Sequence, residues 1–241
     1  LAGVEAVLPT SKTAGFDGSL AADVKRNADA DAFDLSLYRG DAGYGFAGGA
    51  NEFRVGVRAQ HVALAGERFQ HAFGGLLSWS RPIAGAWSWQ SSLAATALRY
   101  ADEPFRDTDQ YLFSAGASRR GTVLDQSLAV FAADDHSTEG GPAEHNGRQF
   151  WGATWGVQWR AAARLVPYAS VTWQDVAYDD VHPVFGVVRE DSLLTGRVGL
   201  VWAPTRAIQL RVEGSWLGTD STIGVFEYDR GVAEAGFRVV F

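Results

Sequence analysis

Apolar and polar residues alternate one by one along most of this chain. Between Trp151 and Trp159, the odd positions carry Trp, Ala, Trp, Val and Trp, and the even positions carry Gly, Thr, Gly and Gln. A period of two residues is that of a β-strand, whose side chains point alternately to opposite faces. The pattern therefore predicts a strand that lies between an apolar and a polar environment.

The same alternation recurs from residue 53 to the end of the chain. It predicts about ten strands of roughly 11 to 15 residues, longer than the usual 5 to 6 of soluble sheets. This length suits a tilted strand that crosses a bilayer. The first apolar residue of each predicted strand is Phe53, Phe69, Trp87, Tyr111, Leu124, Trp151, Leu165, Leu194, Ile208 and, in the last, Tyr228.

The first 52 residues allow two strand counts. Phe16 to Val24 reads as one strand, and a second begins near Phe33, but Arg39 to Gly43 interrupts its alternation. A bulge there leaves one long strand and twelve in total, which we favour because Tyr44 to Gly48 is short for a span. A tight loop there, with a further strand at Val4 to Leu8, gives fourteen. With the favoured count of twelve, we expect residues 1–12 to be a periplasmic lead-in or linker and residues 13–241 to form the β-sheet domain.

The predicted connections alternate in length. Every short one falls on the side of the sheet where the chain ends, and the longer ones fall opposite, which is the signature of an outer-membrane β-barrel with periplasmic short turns. We therefore predict an all-β, antiparallel, up-and-down transmembrane barrel in a Gram-negative outer membrane, with both termini periplasmic. The short connections are 81–85, 119–122, 160–164 and 203–206, and the long ones are 101–108, 134–147, 178–189 and 219–226.

Tryptophan positions are consistent with two membrane interfaces. Aromatic residues of transmembrane barrels concentrate in two girdles at headgroup level. We predict one girdle near the short turns, formed by Trp79, Trp87, Trp159 and Trp202, and one near the long loops, formed by Trp151, Trp173 and Trp216.

Composition excludes several other classes of protein. The formal net charge of -7 argues against a nucleic-acid partner, which would require a basic surface. The chain has no Cys, so it can form neither a disulfide nor a thiolate metal site. No uncharged apolar run reaches about 18 residues, which excludes a transmembrane helix. Nothing in the sequence implies a metal or a cofactor.

Charged residues on the polar side of the strands are the best candidates for function. They could form a network that braces a narrow barrel, or a charge constriction that selects what passes. We expect lateral ion pairs among those near mid-height on the last three strands. The full set is Arg54, Arg58, Arg197, Arg211, Glu213, Arg230, Glu234 and Arg238.

The predicted outer loops contain two short acidic motifs. Asp107 with Asp109, and Asp180 with His182, have the Asp-x-Asp and Asp-x-His form of the omptin proteases, in which such groups activate water. Asp134-Asp-His136 and Glu144 with His145 could equally be read as a metal or base site. Two-residue motifs occur by chance in loops rich in Asp, so the interpretation without catalysis is favoured.

The last segment of the chain resembles a known family. It is similar to the final strand of the C-terminal barrels of surface lipoprotein assembly modifiers and related outer-membrane proteins with tetratricopeptide repeats, and 106–118 is similar to an internal strand of such barrels. Ser221-Thr222 replaces the serine-asparagine pair usual in that family. The matching residues are Phe226, Tyr228, Arg230, Val232, Gly236 and Phe241.

This resemblance implies a barrel that exports or displays a surface product. The expected partners are an upstream periplasmic helical-repeat domain, the exported substrate, and the outer-membrane lipid and lipopolysaccharide around the barrel. It also implies that the terminal Phe241 is recognised by the barrel-assembly machinery.

Overall fold

The structure is a computed structural model that describes most of the chain as β-strands. No helix in the described part is long and apolar enough to span a membrane. Short 3-10 turns occur at Pro104–Arg106 and Gly224–Phe226. The described residues are 2–9, 11, 13–26, 34–138, 146–160, 162, 164–205 and 207–239. The strands are β1 (Ala2–Pro9), β2 (Ala14–Lys25), β3 (Leu35–Gly48), β4 (Asn51–Leu64), β5 (Glu67–Pro82), β6 (Trp87–Tyr100), β7 (Thr108–Arg120), β8 (Leu124–Ser137), β9 (Arg148–Trp159), β10 (Leu165–Val181), β11 (Val188–Trp202), β12 (Ile208–Ser221) and β13 (Tyr228–Val239).

These strands form one sheet in which each strand neighbours the next in sequence. Antiparallel ladders join β1 through β5 and β10 through β13. The predicted all-β, antiparallel, up-and-down topology is thereby confirmed. Strands β2 to β13 correspond to the twelve predicted strands, and β1 adds a thirteenth over the segment that the alternative count had included. Residues 1–12, expected as a lead-in, thus contain a strand paired with β2.

The predicted bulge between Arg39 and Gly43 is wrong. Strand β3 pairs with β2 and β4 through this segment without a change of register. The sequence suggested a bulge because Leu35 and Leu37 are out of phase with Tyr44. In the structure the strand keeps its phase, so Leu37 lies on the same face as Asp41 and opposite Val62. Register shifts occur instead in the β4–β5 ladder and near the end of the β10–β11 ladder.

Connection lengths follow the predicted alternation with one exception. The two-residue turn at 65–66 joins β4 to β5 on the side of the longer loops. Ala65 there has a φ of 53°, and Gly66 has a φ of 83°, which is the left-handed pair that a tight hairpin turn requires. The connections after odd-numbered strands are 10–13, 49–50, 83–86, 121–123, 160–164 and 203–207, and the longer ones after even-numbered strands are 26–34, 101–107, 138–147, 182–187 and 222–227.

The chain divides into two compact units. The first comprises Leu1–Arg81, Ser91–Phe113 and Ala133–Arg148, and the second comprises Pro82–Gln90, Ser114–Ala132 and Gln149–Phe241. Each side-chain cluster described below lies within one unit.

On these strands large apolar side chains are exposed and some charged ones are buried, which is the reverse of the pattern in soluble proteins. In β12, Val212 is 60% exposed whereas its neighbour Glu213 is 8% exposed. Among the described residues, no side chain is less than 2% exposed, and the buried apolar residues are few and mostly small. Large apolar side chains such as Val198 and Phe73 are more than 60% exposed. A continuous apolar face of this kind is stable only against an apolar solvent, which favours lipid.

We expect a charge on the apolar face to be far more costly than one on the polar face of the same strand. Val198→Arg should destabilise the protein in lipid vesicles by about 2–4 kcal/mol, because an arginine would replace a valine in contact with acyl chains. The control Thr195→Arg adds the same side chain to the polar face and should cost less than about 1 kcal/mol. Equilibrium unfolding in urea, followed by tryptophan fluorescence, measures both. Equal costs would contradict the assignment of the faces.

Candidate functional site

Tyr168, Arg211 and Glu213 form a cluster on the polar face of the second unit, which we call the tyrosine cluster. The Tyr168 hydroxyl donates a hydrogen bond to Oε2 of Glu213 at 2.6 Å. Arg211 Nε donates to the same hydroxyl at 2.8 Å, and its Nη2 is ion-paired with Glu213. All three side chains are thus joined through one phenol oxygen and one carboxylate.

A glycine explains how Tyr168 reaches a residue two strands away. Tyr168 in β10 lies opposite Gly199 in β11, and Gly199 lies opposite Glu213 in β12. A Cβ atom at Gly199 would lie 2.4 Å from Cζ of Tyr168. The missing side chain therefore lets the tyrosine ring lie across β11.

Arg54, Asp17, Asp41 and Ser19 form a second cluster, in the first unit, which we call the arginine cluster. Arg54 Nε donates to Oδ1 of Asp17 at 2.8 Å, and its Nη2 donates to the same oxygen at 2.5 Å and to Oδ1 of Asp41 at 3.1 Å. Ser19 Oγ donates to Oδ2 of Asp41 at 2.5 Å. One guanidinium thus bridges two carboxylates from two different strands.

The arginine cluster is built in the same way as the tyrosine cluster. Asp17 in β2 lies opposite Gly43 in β3, and Arg54 reaches it from β4. A Cβ atom at Gly43 would lie 2.6 Å from Cζ of Arg54. In both clusters a long side chain crosses a strand over a glycine and reaches an acid on the strand beyond.

Both clusters are partly shielded from water. The side chains of Arg54 and Asp17 are 24% and 31% exposed. In the tyrosine cluster Glu213 is 9% exposed, whereas Arg211 is 56% exposed. Hydrogen bonds to charged groups contribute about 1.5–3 kcal/mol when protected from water, and less where water reaches them. The clusters are therefore expected to hold their side chains down against the polar face.

The other predicted polar-face charges form no hydrogen bond or ion pair with the described residues of these clusters. Arg58 lies opposite Asp41 in the β3–β4 ladder, and Arg197 lies opposite Ser215 while attracting Glu213 electrostatically. Among the predicted charges on the last three strands, the described residues show one ion pair, between Arg211 and Glu213, and it lies within β12 and not between strands. The register places Arg230 opposite Leu217, Glu234 opposite Glu213, and Arg238 opposite Gln209.

Tyr168, Asp17 and Asp41 were not among the sequence candidates. The alternation does assign Asp17 to the polar face of its strand, since Phe16 is 54% exposed on the other face. Its partner Arg54 is two strands away, however, and that relation depends on the register of two ladders. A glycine at the intervening position is the one signal in the sequence that could have suggested it.

Asp107 and Asp109 are both engaged by Arg99. Arg99 Nη2 donates to Oδ1 of Asp109 at 2.7 Å, and its Nε lies 3.8 Å from Oδ2 of Asp107. Asp107 Oδ1 also accepts the backbone N–H of Tyr100 at 2.8 Å. These carboxylates hold the β6–β7 connection together, which is a structural role.

Asp180 and His182 also make local contacts. Asp180 Oδ1 accepts the N–H of Val181 at 2.6 Å, and His182 Nδ1 accepts the N–H of Val184 at 3.3 Å. The His182 ring centroid lies 4.9 Å from that of Phe185. In the part of the chain that the structure describes, no group of three or more His, Asp or Glu side chains is arranged to hold a metal ion. Glu144 and His145 lie outside the described residues.

Arg189 joins the loop 222–227 to the ends of β10 and β11. It forms two parallel contacts with Asp191, Nε to Oδ1 at 2.9 Å and Nη2 to Oδ2 at 2.6 Å. Its Cζ lies 3.6 Å from the ring centroid of Phe226 and 4.8 Å from that of Tyr178. This bidentate and cation–π arrangement fixes that loop against the strand ends.

The tryptophans predicted as girdles are mostly exposed on the apolar face. Trp79 is half-buried and donates its Nε1–H to Asn51 at 3.0 Å. Trp173 is half-buried and packs edge-on against Trp151, with centroids 4.6 Å apart. Phe241 lies outside the described residues. The tryptophans that are at least 40% exposed include Trp87, Trp151, Trp159, Trp202 and Trp216.

Comparison with known proteins identifies the fold. No protein-family model and no curated protein sequence matches the chain. Among solved structures, the monoaromatic hydrocarbon channel CymD matches with a TM-score of 0.56 and 9% identity, covering 99% of this chain and 82% of that one. The deltaS2 mutant of the monoaromatic hydrocarbon channel TodX matches with a TM-score of 0.54 and 9% identity, covering 99% and 80%.

The copper transporter OprC also matches, with a TM-score of 0.52 and 10% identity. The match covers 98% of this chain and 48% of OprC, so the chain spans about half the length of that protein. At these identities the likeness concerns the fold. The chain has the all-β, antiparallel, up-and-down fold of outer-membrane β-barrels, as the alternation predicted.

Tyr168→Phe tests the tyrosine cluster. Removing the hydroxyl deletes its hydrogen bonds with Glu213 and Arg211, and should lower the free energy of unfolding in lipid vesicles by about 1–2 kcal/mol. Tyr228→Phe is the matched control, because the 52% exposed Tyr228 makes no hydroxyl hydrogen bond to the described residues, and should change stability by less than about 0.5 kcal/mol. A loss no larger in Tyr168→Phe than in the control would show that the cluster does not stabilise the sheet.

Proposed function

We propose that this chain is the outer-membrane domain of a transport, secretion or surface-assembly protein. We further propose that its polar face lines the pathway of the transported solute or exported substrate. The observation that carries the proposal is the reversal of burial, with lipid-suited residues exposed on one face and charged clusters laid on the other. The similarity in fold to two hydrocarbon channels and a copper transporter supports passage through the domain.

The charges on the polar face suggest which solutes are favoured. Arg211 and Glu213 compensate each other in the tyrosine cluster. Arg197, Arg230 and Arg238 form no ion pair with a described acid. On the polar face of the same strands, Asp191 is paired with Arg189, and Glu234 is the remaining described acid. A lining with this excess of guanidinium groups favours anions over cations.

A secretion or surface-assembly role rests on the resemblance to surface lipoprotein assembly modifiers. In that case an upstream periplasmic helical-repeat domain delivers the exported substrate, and both termini of the barrel face the periplasm. Phe241 serves as the recognition element for the barrel-assembly machinery, and lipopolysaccharide surrounds the outer end. A run of helical repeats encoded before Leu1 would favour this role strongly.

Two other roles are weaker. A simple diffusion pore agrees with the fold, but in both clusters long side chains lie across the polar face, which narrows any path along it. A rim protease is disfavoured because Asp107 and Asp109 are bound to Arg99, and His182 Nδ1 already accepts a backbone N–H.

Arg211→Ala tests the proposed lining. Its removal leaves Glu213 without its ion-pair partner, so the reversal potential of the purified protein in planar bilayers, under a KCl gradient, should shift toward cation preference. Arg164→Ala is the control, because Arg164 lies in a short turn and donates to the carbonyl of Pro204. Brief openings of the wild type would favour a partner-dependent transporter, and a steadily open state would favour a simple pore. Identical reversal potentials in wild type and Arg211→Ala would contradict the proposal.

A further inference from the structure

A cavity of about 410 Å³ lies at the short-turn end of the second unit and shares Tyr168 with the tyrosine cluster. It is formed by residues of β7, β8, β9 and β10. The residues important here are Ser118, Arg120, Ser127, Gln158 and Tyr168.

The cavity opens on the polar face of the strands. In β7, Tyr111 and Phe113 are 58% and 46% exposed on the apolar face, so Ser118 and Arg120, at even positions, belong to the opposite face. Tyr168 forms one wall, and its hydroxyl is already occupied by Glu213 and Arg211. The cavity is therefore reached from the aqueous side and not from lipid.

The cavity carries a net positive charge. Its one acid is Asp125, whose Oδ2 is ion-paired with Arg160 Nη2 at 2.5 Å and whose Oδ1 accepts the N–H of Gly121 at 3.1 Å. Arg120 forms no ion pair with any described acid. Its guanidinium donors are available to a ligand, and the carboxylate that could have occupied them is neutralised by another arginine.

Neutral donors surround this arginine. Gln158 and Ser127 are both exposed and line the cavity. A Cβ atom at Gly156 would lie 2.9 Å from Oγ of Ser127. Gly156 therefore keeps the floor of the cavity open, and a larger residue there would fill it without changing its charge.

We propose that this cavity is a binding site for a phosphoryl anion. A guanidinium presents paired N–H donors that match two phosphate oxygens. The amide and hydroxyl groups can donate hydrogen bonds to the remaining phosphate oxygens. The volume exceeds that of one phosphate group, so the ligand is a diphosphate or a phosphate ester. Because the cavity lies on the polar face, the source is a soluble ligand, whereas the headgroup of a phospholipid would approach from the other face.

Titration with inorganic pyrophosphate tests the site directly. Binding to the purified protein in neutral detergent at low salt is followed by broadening of the ³¹P resonance, so it does not depend on conductance or export. Arg120→Gln should weaken binding by about tenfold or more, and Gly156→Val by several-fold. Arg164→Gln removes the same charge from a neighbouring short turn outside the cavity and should bind as the wild type does.

The variants separate the possible outcomes. Equal binding by Arg120→Gln and Arg164→Gln, with the β-sheet circular dichroism spectrum retained in both, would overturn the proposal, as would no binding by the wild type. Wild-type binding that is weakened in both Arg120→Gln and Gly156→Val supports it. In nanodiscs, loss of pyrophosphate binding when phosphatidylglycerol replaces phosphatidylcholine would overturn the soluble source in favour of a lipid headgroup. Unchanged binding supports the soluble source.

Discussion

The pairing of backbone groups across the strands is the constraint on which the rest of this structure depends. In contact with lipid, an N–H or C=O group without a partner costs several kcal/mol, so a spanning chain must satisfy every one internally. The ladders from β1 to β5 and from β10 to β13 do this with one register shift in each set. Once the strands are fixed in this way, side chains can only alternate between two faces, and the reversed burial of Val212 and Glu213 follows.

The same constraint determines how polar groups can meet. Neighbours in a row across the sheet are set by register, and a side chain can pass beyond its nearest neighbour only where that neighbour is small. Gly43 and Gly199 provide this opening, so Arg54 reaches Asp17 and Tyr168 reaches Glu213. Each contact ties together three strands, which stiffens the polar face and compensates charges that would otherwise face each other unpaired.

The sequence predicted much of the fold and little of the site. Alternation of period two identified β2 to β13, because within each strand the residue types alternate between those suited to lipid and those suited to water. The bulge predicted at Arg39 to Gly43 was wrong because Leu37 is an apolar residue on the polar face. An apolar residue on the polar face and a bulge both interrupt the alternation, so the sequence does not distinguish them. The pair of Arg211 and Glu213 could be anticipated because it lies within one strand. Tyr168 and Asp17 could not, because their partners depend on the registers of two ladders. The motif of Asp107 and Asp109 has the same sequence whether its carboxylates are catalytic or bind Arg99.

The accessibility of single cysteines on the two faces of β12 tests the two-faced account most directly. The chain has no Cys, so Ser215→Cys on the polar face and Val212→Cys on the apolar face each introduce a unique thiol. In proteoliposomes, a membrane-impermeant sulfonated maleimide should label Ser215→Cys, and it should label Val212→Cys only after unfolding in urea. Equal labelling of the two thiols in the folded protein would contradict the account, because it would place the apolar face in water.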